Sequence, residues 1–372
     1  MPSAEPDASA GAPPAGHVVV AGWSGTENLG DELLLRALLH RLAARHLGAV
    51  VVSRDPAATA RLHGVRAIGL GDVRGLVRAL CTSRGFVLGP GGIIQDETSP
   101  FSLPWHLARV PQAALARRPL VGVGLGVGPL DRRGSLRATG WALRRAAAIA
   151  VRDEPSAALL RRAGVERIEV GSDLVLGFGP TPAAVQDRIV VCLRPHRPGG
   201  HTVPLRHLPA SELDPDRIRA VAAGLDALAA ATGLPLHLVA MEAGRDDRYH
   251  ELVAEHLRAP VTMAVPGLDD VLAEVAAARL VVAMRFHAGI AAVLGGRPAV
   301  LLGYSTKVRS LAGEVGRAAR LLADDPTGYA GLPEAGQAVL GADDDMAEAR
   351  ARLAARLVAH ERALDALADA AP

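Results

Sequence analysis

Arg285 and His287 stand two positions apart, directly after the apolar run Leu280–Ala283, and Tyr304 and Lys307 follow a second apolar run, Ala299–Leu302. Both runs read as buried strands, and the small residues 288–294 read as a helix. Adjacent strands of a parallel sheet would then deliver Arg285, His287 and Lys307 to one edge, and open α/β sheets bind ligands outside the carboxyl ends of their strands. An imidazole able to donate a proton, beside fixed positive charge, suits an anionic substrate and proton-transfer chemistry. A single histidine is more often a packed or capping residue; the three together are better explained by an anion site.

Similar placements recur along the chain. After a strand at 17–22 comes Trp23-Ser-Gly-Thr-Glu-Asn28-Leu-Gly30-Asp31-Glu32 and then an apolar helix. Asn28 or Asp31 can cap that helix and Glu32 suits its first turn. Capping explains one acid; Asn28, Asp31 and Glu32 together at a strand end suit a sugar hydroxyl, with Gly30 permitting close approach. Gly89-Pro-Gly91-Gly92 follows a strand at 85–89, and a glycine turn opening a helix offers backbone N–H groups to an anion. The plainer reading is a tight β–α turn. Arg152 ends the strand 149–152, and Arg194 ends the strand 189–193. A guanidinium there either recognises phosphate or carboxylate or forms a buried structural ion pair.

The elements that must position these residues alternate between short apolar strands and helix-length segments, the pattern of doubly wound Rossmann-like α/β domains. Strands are expected at 17–22, 49–53, 85–89, 120–124, 149–152 and 167–170, then at 189–193, 235–240, 261–264, 280–283 and 299–302, with helices such as 31–46 and 155–163. Residues 173–187 lack periodicity and read as a linker. The expected organisation is a disordered tail (1–16), a first domain (17–180), a second domain (188–345) and a helix packing across both (346–370). The polar loop 196–209, with three histidines, reads equally as a lid or a surface connection.

A chain of 372 residues exceeds one ordinary core, which favours two domains. A net charge of +2 with dispersed arginines gives no argument for nucleic acid. The two cysteines, Cys81 and Cys192, lie far apart and suggest neither a disulfide framework nor a zinc site. No uninterrupted apolar stretch reaches the roughly 18 residues of a membrane span. The N-terminal residues lack the basic and apolar regions of a signal peptide, so a cytoplasmic protein is expected.

Taken in order, Asn28-Leu-Gly-Asp-Glu32, Gly89-Pro-Gly-Gly92, Val151-Arg-Asp-Glu-Pro-Ser156 leading to Gly171-Ser-Asp173, Met284-Arg-Phe-His287 and Tyr304-Ser-Thr-Lys307 resemble the polysaccharide pyruvyl transferase family. The resemblance covers about residues 17–318, and the Asn-x-Gly-Asp-Glu and Arg-x-His elements are distinctive in combination. It implies two domains facing a cleft, as in GT-B glycosyltransferases. It also implies phosphoenolpyruvate as donor, a saccharide hydroxyl pair as acceptor, a pyruvate ketal as product and phosphate as leaving group, with no metal and no further cofactor. Arg152, His287 and Lys307 would bind the donor, with His287 the leading acid, and residues 28–32 would face the acceptor. Asp31 or Glu32 would orient or deprotonate the sugar hydroxyl. Phe286 stands where leucine is common, and the Trp23 turn departs from the usual aromatic-Gly turn. The acceptor's identity, its attachment to lipid at the inner membrane face and the oligomeric state are left open. A nucleotide-sugar glycosyltransferase and a non-catalytic carbohydrate-binding protein share this architecture and remain rival readings.

Overall fold

The computed structural model describes residues 16–97, 101–195 and 214–369. The loop 196–209 and all but the last residue of the tail 1–16 lie outside them. Two parallel sheets with alternating helices form the expected pair of Rossmann-like units. The first contains β1 (His17–Ala21), β2 (Gly48–Ser53), β3 (Arg66–Gly69), β4 (Phe86–Leu88), β5 (Gly91–Ile94), β6 (Leu120–Val127), β7 (Ala148–Val151) and β8 (Ile168–Val170). Their order is β3-β2-β1-β4-β6-β7-β8, with β5 paired to β6. The second contains β9 (Ile189–Cys192), β10 (Leu236–Val239), β11 (Val261–Ala264), β12 (Leu280–Ala283), β13 (Ala299–Leu302) and β14 (Ala319–Leu322), in the order β11-β10-β9-β12-β13-β14.

The central strands are the near-continuous apolar runs that burial on both faces demands: Val18, Val19, Val20, Val190, Val191, Val281 and Val282 are fully buried. Strands β3 and β14 carry no such run. Both lie at sheet edges, where Arg66 and Arg320 meet solvent, so apolar patterning does not mark them. One apolar core continues from the first sheet into the second, joining Leu34 and Leu38 of the helix Leu29–Ala43 to Ile290 and Leu294 of the helix Phe286–Gly295.

Two expectations are corrected. The Gly89-Pro-Gly-Gly92 turn opens no helix. It leads into β5, which pairs with the second half of β6 where β4 has ended (Gly91 beside Leu125, Ile94 beside Val127). Gly91 and Gly92 therefore supply no helix N-terminus for an anion. The C-terminal segment is also not one helix but two, Asp343–Ala355 and Val358–Asp369. Met346, Ala349 and Leu353 of the first pack among helices of the second domain, whereas the second lies against β6 and β7 of the first domain. A single straight helix could not bury both faces. Among the described residues no helix is long and apolar enough to cross a membrane.

Candidate functional site

In each sheet the strand order reverses beside the first strand, between β1 and β4 and between β9 and β12. These topological switch points are where a crevice opens at the strand ends. The loop after β1 ends in Asn28, and Gly30 and Asp31 stand in the first turn of the helix that follows. Arg194 follows β9, and Arg285 and His287 follow β12. The two edges face each other across the domain boundary. Asn28 forms an antiparallel bridge with Glu242, and the Leu29 amide donates to the Met241 carbonyl at 2.9 Å.

Asn28 caps the helix Leu29–Ala43 by accepting from the Gly30 amide (3.1 Å), and its side-chain amide donates to Asp31 Oδ2 (2.7 Å). Asp31 is thereby held at the cleft with His287 and Lys307 in electrostatic reach. Burial raises its carboxyl pKa; His287 and Lys307 offset part of the rise, and Glu32 and Glu242 add to it. A carboxylate with a raised pKa is the better base for a hydroxyl proton. Gly30 has helical backbone, and its lack of a side chain matters for space. A Cβ there would stand 2.0 Å from His287 Nδ1.

His287 is almost sealed, its side chain 10% exposed, and Nε2 stands 3.6 Å from Oδ2 of Asp173. The sequence reading has it facing Lys307; the structure turns it toward Asp173 and Gly30. Lys307 approaches the neighbouring Phe286 ring instead, with Nζ 6.0 Å from its centroid, and the Arg152 guanidinium lies 4.7 Å from the same centroid. Phe286 thus brings together cations from the two domains, which a leucine could not do by cation–π attraction. Arg152 Nε donates to Asp153 Oδ2 (3.0 Å), which anchors the stem. A Cβ at Gly126 would come within 2.7 Å of the guanidinium, so glycine there makes room for it. Gly92 borders the same group, its added Cβ lying 4.0 Å from Arg152 Nη2. A small pocket at this junction is lined by Arg152, Asp173, Phe286, Lys307 and Glu314. A separate surface groove, lined by Gly233, Pro235, His256 and Pro260, opens where β10 and β11 begin, the edge away from these residues.

Two expected site residues are placed in structural roles. Glu32 points away from the cleft into the Gly-rich loop. Its Oε1 accepts from the Gly25 and Thr26 amides (both 2.9 Å), and Oε2 meets His63 Nε2 at 2.7 Å. Arg285 is buried against Asp246 and Glu242, with Nε donating to Asp246 Oδ2 at 2.8 Å. Burial opposes its charge, but the two carboxylates outweigh burial and its pKa is raised. Arg285 is committed to partners about 40 residues away in sequence, and Glu32 to the nearby Gly25 and Thr26 amides and the distant His63. Arg194 donates to the Tyr304 hydroxyl (3.0 Å) and stacks on its ring.

Sequence reasoning assigned no role to Tyr304 or Asp173. Burial alone would raise the Tyr304 phenol, yet Lys307, Arg194 and Arg285 bring it down to about 7. Asp173 was read as the start of a linker. The available signal was its position three residues after the strand end at Val170, where Gly171-Ser-Asp173 turns into the cleft. Among the described residues no three His, Cys, Asp or Glu side chains converge as a metal site.

Comparisons with known proteins bear on this arrangement. No curated protein matches the chain significantly in sequence. Among solved structures, Anabaena HepE in complex with UDP-glucose is similar at 15% identity and a TM-score of 0.62, covering 95% of this chain and 99% of that one. A glycosyltransferase from Rickettsia africae matches at 8% identity and TM-score 0.61 (96% and 99% covered). The UDP-GlcNAc 2-epimerase of Methanocaldococcus jannaschii matches at 13% and 0.57 (86% and 92%). At such identities these likenesses show the GT-B type of fold alone. The family model for polysaccharide pyruvyl transferase matches residues 28–306, from the Asn28 cap to the residue before Lys307, and the chain belongs to that family.

Proposed function

We propose that the protein transfers the pyruvyl group of phosphoenolpyruvate onto two hydroxyls of a saccharide, forming a ketal and releasing phosphate. The observation that carries this reading is the meeting of Arg152 and Lys307, one from each domain, on Phe286 beside His287 and Asp31. Phosphoenolpyruvate has a phosphate and a carboxylate, and two cations from facing domains complement two anions on one small molecule.

The chemistry follows from the groups present. His287 protonates the methylene carbon of the enol, which makes the adjacent carbon electrophilic. A first sugar hydroxyl adds to that carbon while Asp31 takes its proton. A second hydroxyl then displaces phosphate by cleavage of the carbon–oxygen bond. Of the two hydroxyl protons lost by the acceptor, one replaces the proton given to the methyl carbon and the other leaves with phosphate, so the overall transfer needs no oxidant or other reactant.

Calorimetric titration with phosphoenolpyruvate tests the donor assignment. Arg152→Ala and Lys307→Ala should each weaken binding roughly ten- to hundredfold, the loss of about 1.5–3 kcal/mol of charge-assisted hydrogen bonding. Unchanged affinity in both folded variants would remove these residues from the donor site.

A further inference from the structure

His287 Nε2 and Asp173 Oδ2 are both buried, and neither has a hydrogen-bond partner among the described residues, yet they face each other at 3.6 Å. Buried polar atoms without partners are uncommon and costly. The other oxygen of Asp173 is already used, accepting from the Val175 amide at 3.0 Å to cap the 3₁₀ turn Leu174–Phe178. Oδ2 is therefore the oxygen left for His287. The two residues come from different domains: Asp173 follows β8 of the first, and His287 follows β12 of the second.

We propose that Asp173 is the positioning residue of His287, binding Nε2–H across the domain boundary so that Nδ1 is the nitrogen presented to the donor. The inference rests on the proposed pyruvyl transfer for its chemical purpose but not for its geometry. A gap of 3.6 Å exceeds a hydrogen bond by about half an ångström, and catalytic hydrogen bonds are commonly long before substrate is bound. Gly30 completes the arrangement, because the space its missing Cβ leaves lies beside Nδ1. Asp173 holds its negative charge: burial opposes it, but His287 and Arg152 outweigh burial and its pKa is lowered. The carboxylates facing His287 among the described residues are Asp173 and Asp31; Arg152 and Lys307 stand next to those carboxylates. Asp173, facing Nε2, thus fixes Nε2–H as the tautomer left after Nδ1 has donated its proton.

The test follows the imidazole nitrogens of His287 by NMR in the full chain, using ¹⁵N-labelled histidine assigned with His287→Gln. In the wild type above the imidazole midpoint, the expected signal is Nε2 protonated and Nδ1 bare; the opposite tautomer overturns the proposal without any further variant. Asp173→Asn keeps an oxygen for the Val175 amide while it removes the charge and replaces the acceptor Oδ2 facing His287 with an N–H donor. The His287 midpoint should fall by roughly one unit or more, as for loss of a neighbouring opposite charge. Turnover should fall at least about tenfold with phosphoenolpyruvate affinity changed far less, and Asp173→Glu should restore part of the midpoint. An unchanged midpoint in folded Asp173→Asn refutes the pairing. Wild-type protein that releases no phosphate from phosphoenolpyruvate with any acceptor refutes the donor reading instead, and leaves the NMR result standing.

Discussion

Replacing Gly30 by alanine separates the space this residue provides from its effect on the helix. Gly30 lies in the first turn of the helix Leu29–Ala43 and has no positive φ, so alanine fits its backbone. By propensity alone the change should stabilise that helix by up to about 1 kcal/mol. The new methyl carbon, however, would sit 2.0 Å from His287 Nδ1, 2.6 Å from Cγ and 2.9 Å from Cβ. Relieving that overlap needs a displacement of about 1 Å, since non-bonded Cβ contacts below 3.0 Å essentially do not occur. His287 has little room to yield, being buried against Phe286 and the first domain. Overpacking of this kind costs about 1–3 kcal/mol, so the net loss of stability should be at most about 3 kcal/mol. The cost in activity should be larger, because a misplacement of about 1 Å at a reacting group is worth roughly 100-fold. Denaturant melts alongside single-turnover phosphate release from phosphoenolpyruvate measure the two effects. Gly30→Ala with native turnover, or turnover falling only with the folded fraction, would refute the argument that Gly30 exists to admit His287.

Glu32→Ala should lose on the order of 2–3 kcal/mol of stability by stranding the Gly25 and Thr26 amides, while Glu32→Gln recovers most of it and turns over normally; a stable Glu32→Gln with turnover down 100-fold would return Glu32 to the chemistry. Arg285→Ala should destabilise by about 3–5 kcal/mol in a denaturant melt, because it leaves the Asp246 carboxylate buried and unpaired; a small loss there, with phosphoenolpyruvate affinity strongly reduced, would make Arg285 a ligand instead. His250 and His360 are held neutral mainly by burial, each lowered to about 4. His250 Nε2 accepts from the Leu193 amide, and His360 Nδ1 accepts from Gly124 while Nε2–H donates to Ser172. A base whose folded pKa lies below its unfolded one contributes stability above about pH 6.5 and loses it as pH falls toward 4, which amounts to on the order of 2 kcal/mol per histidine at pH 5. Denaturant melts at pH 7.5 and 5 should show that loss, and His360→Gln should reduce it.

The fold was legible where strands are buried on both faces. Continuous valine and leucine runs at β1, β9, β12 and β13 mark central parallel strands, and each ends in the residues that reach the cleft. Strands β3 and β14, half exposed at the edges, lack that signal, and β5 is hidden in a glycine turn. At the site, residue type placed Arg285, His287 and Lys307 at one strand edge, and the family resemblance added Arg152 and residues 28–32 from the first domain. It could not predict which charges are spent on structure. His63, Asp246 and Glu242, partners of Glu32 and Arg285, are set by tertiary packing and have no local signature, and the Gly25–Thr26 amides take Glu32 only because the loop folds back on the helix start. The partner of His287 lies in the other domain, in a stretch whose composition resembles a linker.

Phosphate release distinguishes the central claim from its nearest rival most directly. The wild-type chain is incubated with phosphoenolpyruvate and a panel of saccharide acceptors, and in parallel with UDP-sugars and the same acceptors, while inorganic phosphate and UDP are followed. Acceptor-dependent phosphate release from phosphoenolpyruvate, with a pyruvate ketal on the sugar by mass and lost in His287→Gln, is the predicted result. UDP release from a UDP-sugar, with no acceptor producing phosphate from phosphoenolpyruvate, would contradict it.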